Sequence, residues 1–254
     1  MANERLRSGI AARGMTIGDV ATQVEVDPKT VERWISSDRV PHRSHRWATA
    51  RLLGVDEAYL WPQVLTDDRT VSASRAELVD IYPNRGSVPP DLWRALAGKA
   101  SEAVDVLAYS ALFLPDSNPD LPPELAKRAS DGMQVRILLG DPASDAVRKR
   151  GEEEGIDDGL AGRIRLHLRY LEPVMDQAGI EIRLHTTTLY NSLYRFDQSL
   201  LVNSHAYGAP ASHSPVLHLQ RVPGGRLFDH YMVSFDRVWA RGRAIRNQPE
   251  REDV

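Results

Sequence analysis

The apolar residues of this chain change their spacing once, and that change constrains the fold more than any other feature. Through residue 62 they recur at three- and four-residue intervals, as on helices that bury one face. From residue 104 onward, short apolar runs of strand length alternate with helix-spaced stretches, the pattern of an α/β layered fold with a mixed sheet. The expected fold class is α followed by α/β. A five-helix N-terminal domain covers residues 1–62, a linker with a short helix 63–90, an α/β domain with a mixed sheet 91–241, and a tail 242–254. A chain of 254 residues, 42% of them hydrophobic, accommodates two modest cores.

The helical region carries explicit start signals. Leu6, Ile10 and Ala11 have helical spacing. Thr16 caps a second helix, with Asp19 three residues on, and Ile17, Val20, Ala21 and Val24 form its buried face. Asp27-Pro28 puts an N-cap acid before a proline at the first helical position, and Val31, Trp34 and Ile35 then face inward. A fourth helix from Ser44 to Leu53 stops at Gly54, and Asp56 caps a last turn. Ser74 to Tyr82 reads as the linker's helix, with Ser74 and Glu77 as a capping box, before a turn at Pro83-Asn84-Arg85-Gly86 and a helix from Asp91 to Ala103.

In the α/β region, strands are expected at Val104–Tyr109, Val135–Leu139, Ile180–His185, Leu189–Phe196, Leu200–His205 and Val216–Leu219. Helices are expected at Pro122–Ser130, Ser144–Glu154 and Leu160–Ala178, the last kinked at Pro173. Leu227, Tyr231, Phe235, Val238 and Trp239 mark a closing amphipathic helix, and Asn247–Val254 reads as a frayed tail.

Charge and composition exclude several classes. No apolar run reaches bilayer length, and Met1 to Arg13 lacks a signal-peptide hydrophobic stretch, so no membrane partner and a cytoplasmic setting are expected. Without Cys there is neither a disulfide framework nor a thiolate metal site, and no cofactor or metal is expected. The net charge is −3, yet Arg39 to Arg51 holds four Arg, two His and no acid.

That basic run follows the element suited to reading DNA. A helix-turn-helix lays its second helix in the major groove, and Asp27–Ser37 is the candidate. Lys29, Thr30, Arg33 and Ser37 occupy its outward face, with Arg33 the expected guanine contact. Thr16, at a helix N-terminus, is placed to hold a phosphate, and Arg39, Arg43 and Arg46 to grip the backbone. The segment TIGDVATQVEVDPKTVERW, followed by ATARLLGVDEAYLWP, resembles the Cro/repressor-type (xenobiotic-response-element, XRE) helix-turn-helix family over residues 1–62. The resemblance implies a transcription regulator whose partner is double-stranded DNA. Glu25 stands where the family usually has Gly, which costs on the order of 1 kcal/mol at positive φ. The plainer alternative is a packing module whose basic run is a solvated face.

From about residue 75 to 241, LYNSLYRFDQSLLVNSHAYGAPASHSPVLHLQRVPGGRLFDHYMVSFDRVW resembles regulators in which such a helix-turn-helix precedes a phospholipase D-like domain. The resemblance implies one half of that fold, with a β-α-β-α-β-β core, paired about a two-fold as a homodimer. Active members carry H-x-K-x4-D. None of the eight His here is followed two residues later by Lys. Aligned on Asp197, Tyr190 falls at the His position, Ser192 at the Lys position, and Asn203-Ser204 near the Gly-Ser. No catalytic residue is therefore assigned. Asp141, Arg183, His185, Tyr190, Ser192, Arg195, Asn203 and Tyr207 make a candidate cradle for a small, anionic effector. Against this, Arg183 pairs as readily with Glu181 or Asp197, and a lone His185 is as readily a core residue. A sensor, a divergent phosphodiesterase or nuclease, and a constitutive scaffold binding a protein partner all remain open at this level.

Overall fold

The structure is a computed structural model that describes residues 2–37, 39–65 and 68–246; the expected frayed tail lies outside them. The chain divides into two compact units, Met1–Ser72 and Ala73–Val254.

The first unit is helical: α1 (Glu4–Ala12), α2 (Ile17–Gln23), α3 (Pro28–Ser36), α4 (Arg43–Leu53) and α5 (Glu57–Leu60). Its core gathers Leu6, Ile10, Val20, Val31, Trp34, Leu53, Leu60 and Trp61, one stripe from each helix. The starts are capped by side chains. Asn3 accepts from the Leu6 N–H and donates from Nδ2 to the Leu60 carbonyl at 2.8 Å, joining both ends of the unit. Thr16 and Asp19 form a reciprocal capping box, and Asp27 accepts from the Lys29 N–H. Gly54 ends α4 in the left-handed region at φ 69°. Glu25, in the turn between α2 and α3, takes φ 56°, so the chain adopts the left-handed turn without its usual Gly.

α6 (Asp68–Ala76) spans the division, and the second unit builds an eight-stranded sheet. Its elements run β1 (Leu78–Tyr82), α7 (Pro90–Lys99), β2 (Ala103–Ala108), α8 (Phe113–Ser117), α9 (Leu121–Ser130) and β3 (Gln134–Gly140). They continue α10 (Asp145–Glu153), α11 (Gly159–Leu171), β4 (Ile180–His185), β5 (Asn191–Phe196), β6 (Ser199–Ser204), β7 (Val216–Gln220), α12 (Leu227–Trp239) and β8 (Arg243–Ile245). The strand order is β1-β7-β6-β5-β2-β3-β4-β8. The neighbours β2, β3 and β4 are parallel and joined by helical crossovers; every other pair is antiparallel. The fold is thus helical, then mixed α/β. β2 is buried along its whole length, as a strand covered on both faces must be.

Three expectations are corrected. Ser74–Tyr82 is not one helix: α6 ends at Ala76, and Leu78–Tyr82 is an edge strand of the sheet, so the region read as linker contributes to the second unit. Ser74 and Glu77 do cap a helix, but a distant one. Glu77 Oε2 accepts from the Leu227 N–H at 2.7 Å and Ser74 Oγ from the Arg226 N–H at 3.2 Å, satisfying free donors at the start of α12. Residues 243–245, placed in the tail, form β8 against β4. The expected helix to Ala178 ends as an α-helix at Leu171 and tightens into a 3-10 turn over Glu172–Val174, where Pro173 cannot donate. No helix among the described residues is long and apolar enough to cross a membrane.

Candidate functional site

In the first unit, α3 presents the face that its capping and packing leave outside. Val31, Trp34 and Ile35 are buried, which fixes the helix rotation and turns Lys29 and Arg33, four residues apart, to solvent on one side. Thr30 is half-buried beside them. Ser37 is exposed, with its hydroxyl donating to the Arg33 carbonyl at 2.6 Å. Thr16 is exposed at the start of α2, where its hydroxyl is shared with Asp19. The Thr16 N–H, donating to the Asp19 carboxylate at 2.8 Å, and then the Thr16 hydroxyl hold that carboxyl below its ordinary pKa. Arg39 is exposed and Arg43 half-buried. Arg46 does not fit the phosphate role expected of it. Its Nε donates to Glu57 at 2.5 Å and its Nη1 to the Pro41 carbonyl at 2.9 Å, so it ties α4 to α5.

In the second unit, the structure separates the expected cradle into distinct roles. Arg183 donates to Glu181 at 2.7 Å and to the Trp239 carbonyl at 2.8 Å, and stacks on the Trp239 ring. Arg195 donates to Asp105 at 2.9 Å and to the Asp197 carbonyl at 2.8 Å. Both guanidiniums are engaged in the fold, which overturns the two-arginine anion cradle. Asp141 accepts from Arg243 at 3.1 Å beyond β3, and its own N–H donates to the His185 carbonyl at 2.8 Å. His185 is 1% exposed; its Nδ1 accepts from the Thr187 N–H at 3.3 Å, so Nε2 donates to the Ala108 carbonyl at 3.2 Å. Burial lowers its pKa and keeps it neutral. It is a hydrogen-bonded core residue. Tyr190 and Tyr207 are 80% and 87% exposed, far from enclosing anything.

What remains is a polar cluster on β5, β6 and the segment after β6. Ser192 pairs in register with Asn203, so both lie on one face, and Tyr194 shares it two residues on. His205 Nδ1 lies 3.2 Å from the Leu189 carbonyl, which only accepts, so Nδ1 carries the proton and Nε2 accepts from Ser192 Oγ at 2.9 Å. Tyr109 stacks on the His205 ring and accepts the Leu189 N–H through its hydroxyl at 3.0 Å. Burial, then the Arg150 and Arg85 charges, lower the His205 pKa to about 4, against the upward pull of its backbone hydrogen bond. Asn203 donates to the Ser214 and Pro215 carbonyls, while its Oδ1 has no partner among the described residues. Tyr194 is fully buried; its hydroxyl lies near Ser192 and Arg85 without reaching hydrogen-bond geometry.

Tyr109, Tyr194, His205 and Arg85 were not singled out from the sequence. Tyr194 was accessible to strand periodicity, which puts it on the Ser192 face. Arg85 sits in a turn whose sequence reads only as a turn. Among the described residues no cluster of His, Asp or Glu is grouped to hold a metal ion.

The two units define a class: a capped helical unit with an exposed cationic helix face, followed by a mixed α/β unit with a buried polar cluster. Residues 76–246 match the family described as Domain of unknown function (DUF5919), and the chain belongs to that family. No curated protein matches the chain. Among solved structures it is similar to Nuc from Salmonella typhimurium, a phospholipase D family member, at 18% identity over 66% of this chain and 95% of that one, with a TM-score of 0.40. It is also similar to TrmBL2, an archaeal chromatin protein, at 12% identity over 87% of this chain and 72% of that one, with a TM-score of 0.42. Both likenesses are remote.

Proposed function

We propose that this protein is a sequence-specific DNA-binding transcription regulator of the helix-turn-helix kind, whose second unit dimerises and takes a small effector. The observation that carries the reading is the rotation of α3. Its apolar residues are consumed by the core, and Lys29 and Arg33 project together from the face a recognition helix would present to base edges. The left-handed turn at Glu25 sits between α2 and α3, where a helix-turn-helix needs it. Arg33→Ala is expected to weaken specific binding by about 1–3 kcal/mol and relax preference at one base pair. Arg39→Ala is expected to weaken all sequences alike and flatten the salt dependence. Gel-shift titrations in which both variants match wild type would remove the assignment of this face.

The second unit follows the order β2, helices, β3, helices, β4, β5, β6, as a phospholipase D-like half would. We read it as non-hydrolytic. Ser192 and His205 have the spacing of a nucleophile and its base, but an imidazole with a pKa near 4 is a weak base, and Ser192 is 3% exposed. Tyr190 is exposed but has no base beside it among its described contacts. No metal-free turnover of bis(4-nitrophenyl) phosphate is expected; turnover abolished by Tyr190→Phe or Ser192→Ala would overturn this.

A further inference from the structure

Beside the polar cluster lies a cavity of about 270 Å³, all of it within the second unit. Val88, Trp93, Phe113, Leu114 and Leu121 line it, and the one-turn helices carrying Arg85 and Ser212 close one side. An apolar cavity of ~150 Å³ admits a benzene ring, so this one holds one to two rings. Trp93 and Phe113 meet edge to face at 5.0 Å, and both meet the Tyr194 ring the same way at 5.2 and 5.6 Å. The wall on this side is aromatic.

Two arginines, Arg85 and Arg94, stand in that wall. Arg85 is half-buried, and its guanidinium lies 4.2 Å from the centre of the Phe113 ring. Among the described residues it has no carboxylate partner. Arg94, the other cavity arginine, is paired with Asp91. Arg85 also lies close enough to Tyr194 and His205 for its charge to act on both. The Tyr194 hydroxyl, fully buried, lies next to it without a hydrogen-bond partner among the described residues. Arg136, Arg150, Arg183, Arg195 and Arg243, by comparison, are each held by a carboxylate. A half-buried guanidinium without a counter-ion, beside an orphaned hydroxyl and an apolar cavity, lacks an anion with an apolar body.

We propose that this cavity binds a small aromatic carboxylate or a similar amphipathic anion, with its rings between Trp93, Phe113 and Leu121 and its anionic group on Arg85. The inference rests on the reading of the second unit as an effector domain and gives that effector its chemistry. Asn203, Ser192 and His205 belong to the neighbouring polar cluster and do not line the cavity. Arg183 and Arg195, favoured by the sequence, take no part.

The test uses the full chain in a calorimeter without DNA, with 2-naphthoate and its neutral amide, 2-naphthamide, as probes. The expected result is saturable one-to-one binding of the acid, at least tenfold tighter than the amide. Arg85→Gln should erase that preference, Arg85→Lys should keep most of it, and Leu114→Trp should block both probes by filling the cavity. Equal binding of acid and amide by wild type, no saturation of the acid below millimolar concentration, or an undiminished preference in a folded Arg85→Gln would overturn the proposal. If Arg85→Gln fails to fold, the acid-to-amide ratio of wild type decides alone. Binding of the acid with no change in DNA affinity upholds the cavity and counts only against the effector reading.

Discussion

Asp105 is 1% exposed, in the middle of β2, and holds Arg136 at 2.6 Å and Arg195 at 2.9 Å from the two neighbouring strands. Arg136 reaches on to Asp236 and lies over the Phe235 ring. Removing one partner of a buried pair leaves an uncompensated charge and costs about 3–5 kcal/mol, so these arginines belong to the fold before any ligand. Besides His185, two more imidazoles are held neutral by burial. Burial brings the pKa of His167 to about 4, and its Nδ1 is unpartnered among the described residues; His205 also falls to about 4. An unfolded His titrates near ~6.5. As pH falls below that value the unfolded chain takes up protons that the folded chain refuses, so stability drops until about pH 4, where both states are protonated. His167→Leu is expected to keep its urea midpoint at pH 7 and to lose about 2 kcal/mol less than wild type between pH 7 and pH 5. Equal losses in the two proteins would show that this imidazole does not carry the acid sensitivity.

At the scale of elements, β1 is the strand the sequence concealed. Leu78, Val79 and Ile81 do not alternate cleanly with polar residues, and Ser74 with Glu77 imitates a local capping box. The strand exists because its backbone pairs with β7, a partner more than 130 residues away that no local pattern announces. α12, by contrast, was legible as a helix from the spacing of its apolar residues, although the face it buries is Phe228, Met232 and Phe235, and Leu227 is exposed. So were the caps of α2 and α3. The site was read less well, because strand alternation shows which residues share a face but not which arginines are already paired. β1 also bears on assembly. It is a sheet edge with Leu78, Val79 and Ile81 exposed by 39%, 55% and 56%, an apolar rim that invites pairing with a second copy. A two-fold seam at Tyr190, Ser192 and Asp197 finds less support. Ser192 is buried, and the Asp197 carboxylate accepts the N–H groups of Ser101, Glu102 and Ala103. Light scattering is expected to show a homodimer for the full chain, a monomer for Val79→Lys with Ile81→Lys, and a retained dimer for Tyr190→Ala. A dimer that survives the lysines but not Tyr190→Ala would return the seam to the motif region.

For the whole molecule, two units with separate cores offer different surfaces: one a cationic helix face, the other an apolar cavity beside a guanidinium with no carboxylate partner among the described residues. A single small helix-turn-helix contacts too few base pairs for useful selectivity, so a regulator of this kind needs two copies on one site. An effector that binds one arrangement of the dimer better than another would then shift DNA affinity by that difference, and by no more. All of this depends on α3 reading sequence. The direct measurement is selection from a random double-stranded DNA library by the full chain and by Arg33→Ala, followed by sequencing of the bound fraction. Wild type is expected to enrich a two-fold symmetric motif with half-sites about 10 base pairs apart or a multiple of that, and Arg33→Ala to lose preference at one position in each half-site. No enrichment over the starting library, or a motif unchanged at every position in Arg33→Ala, would contradict the account.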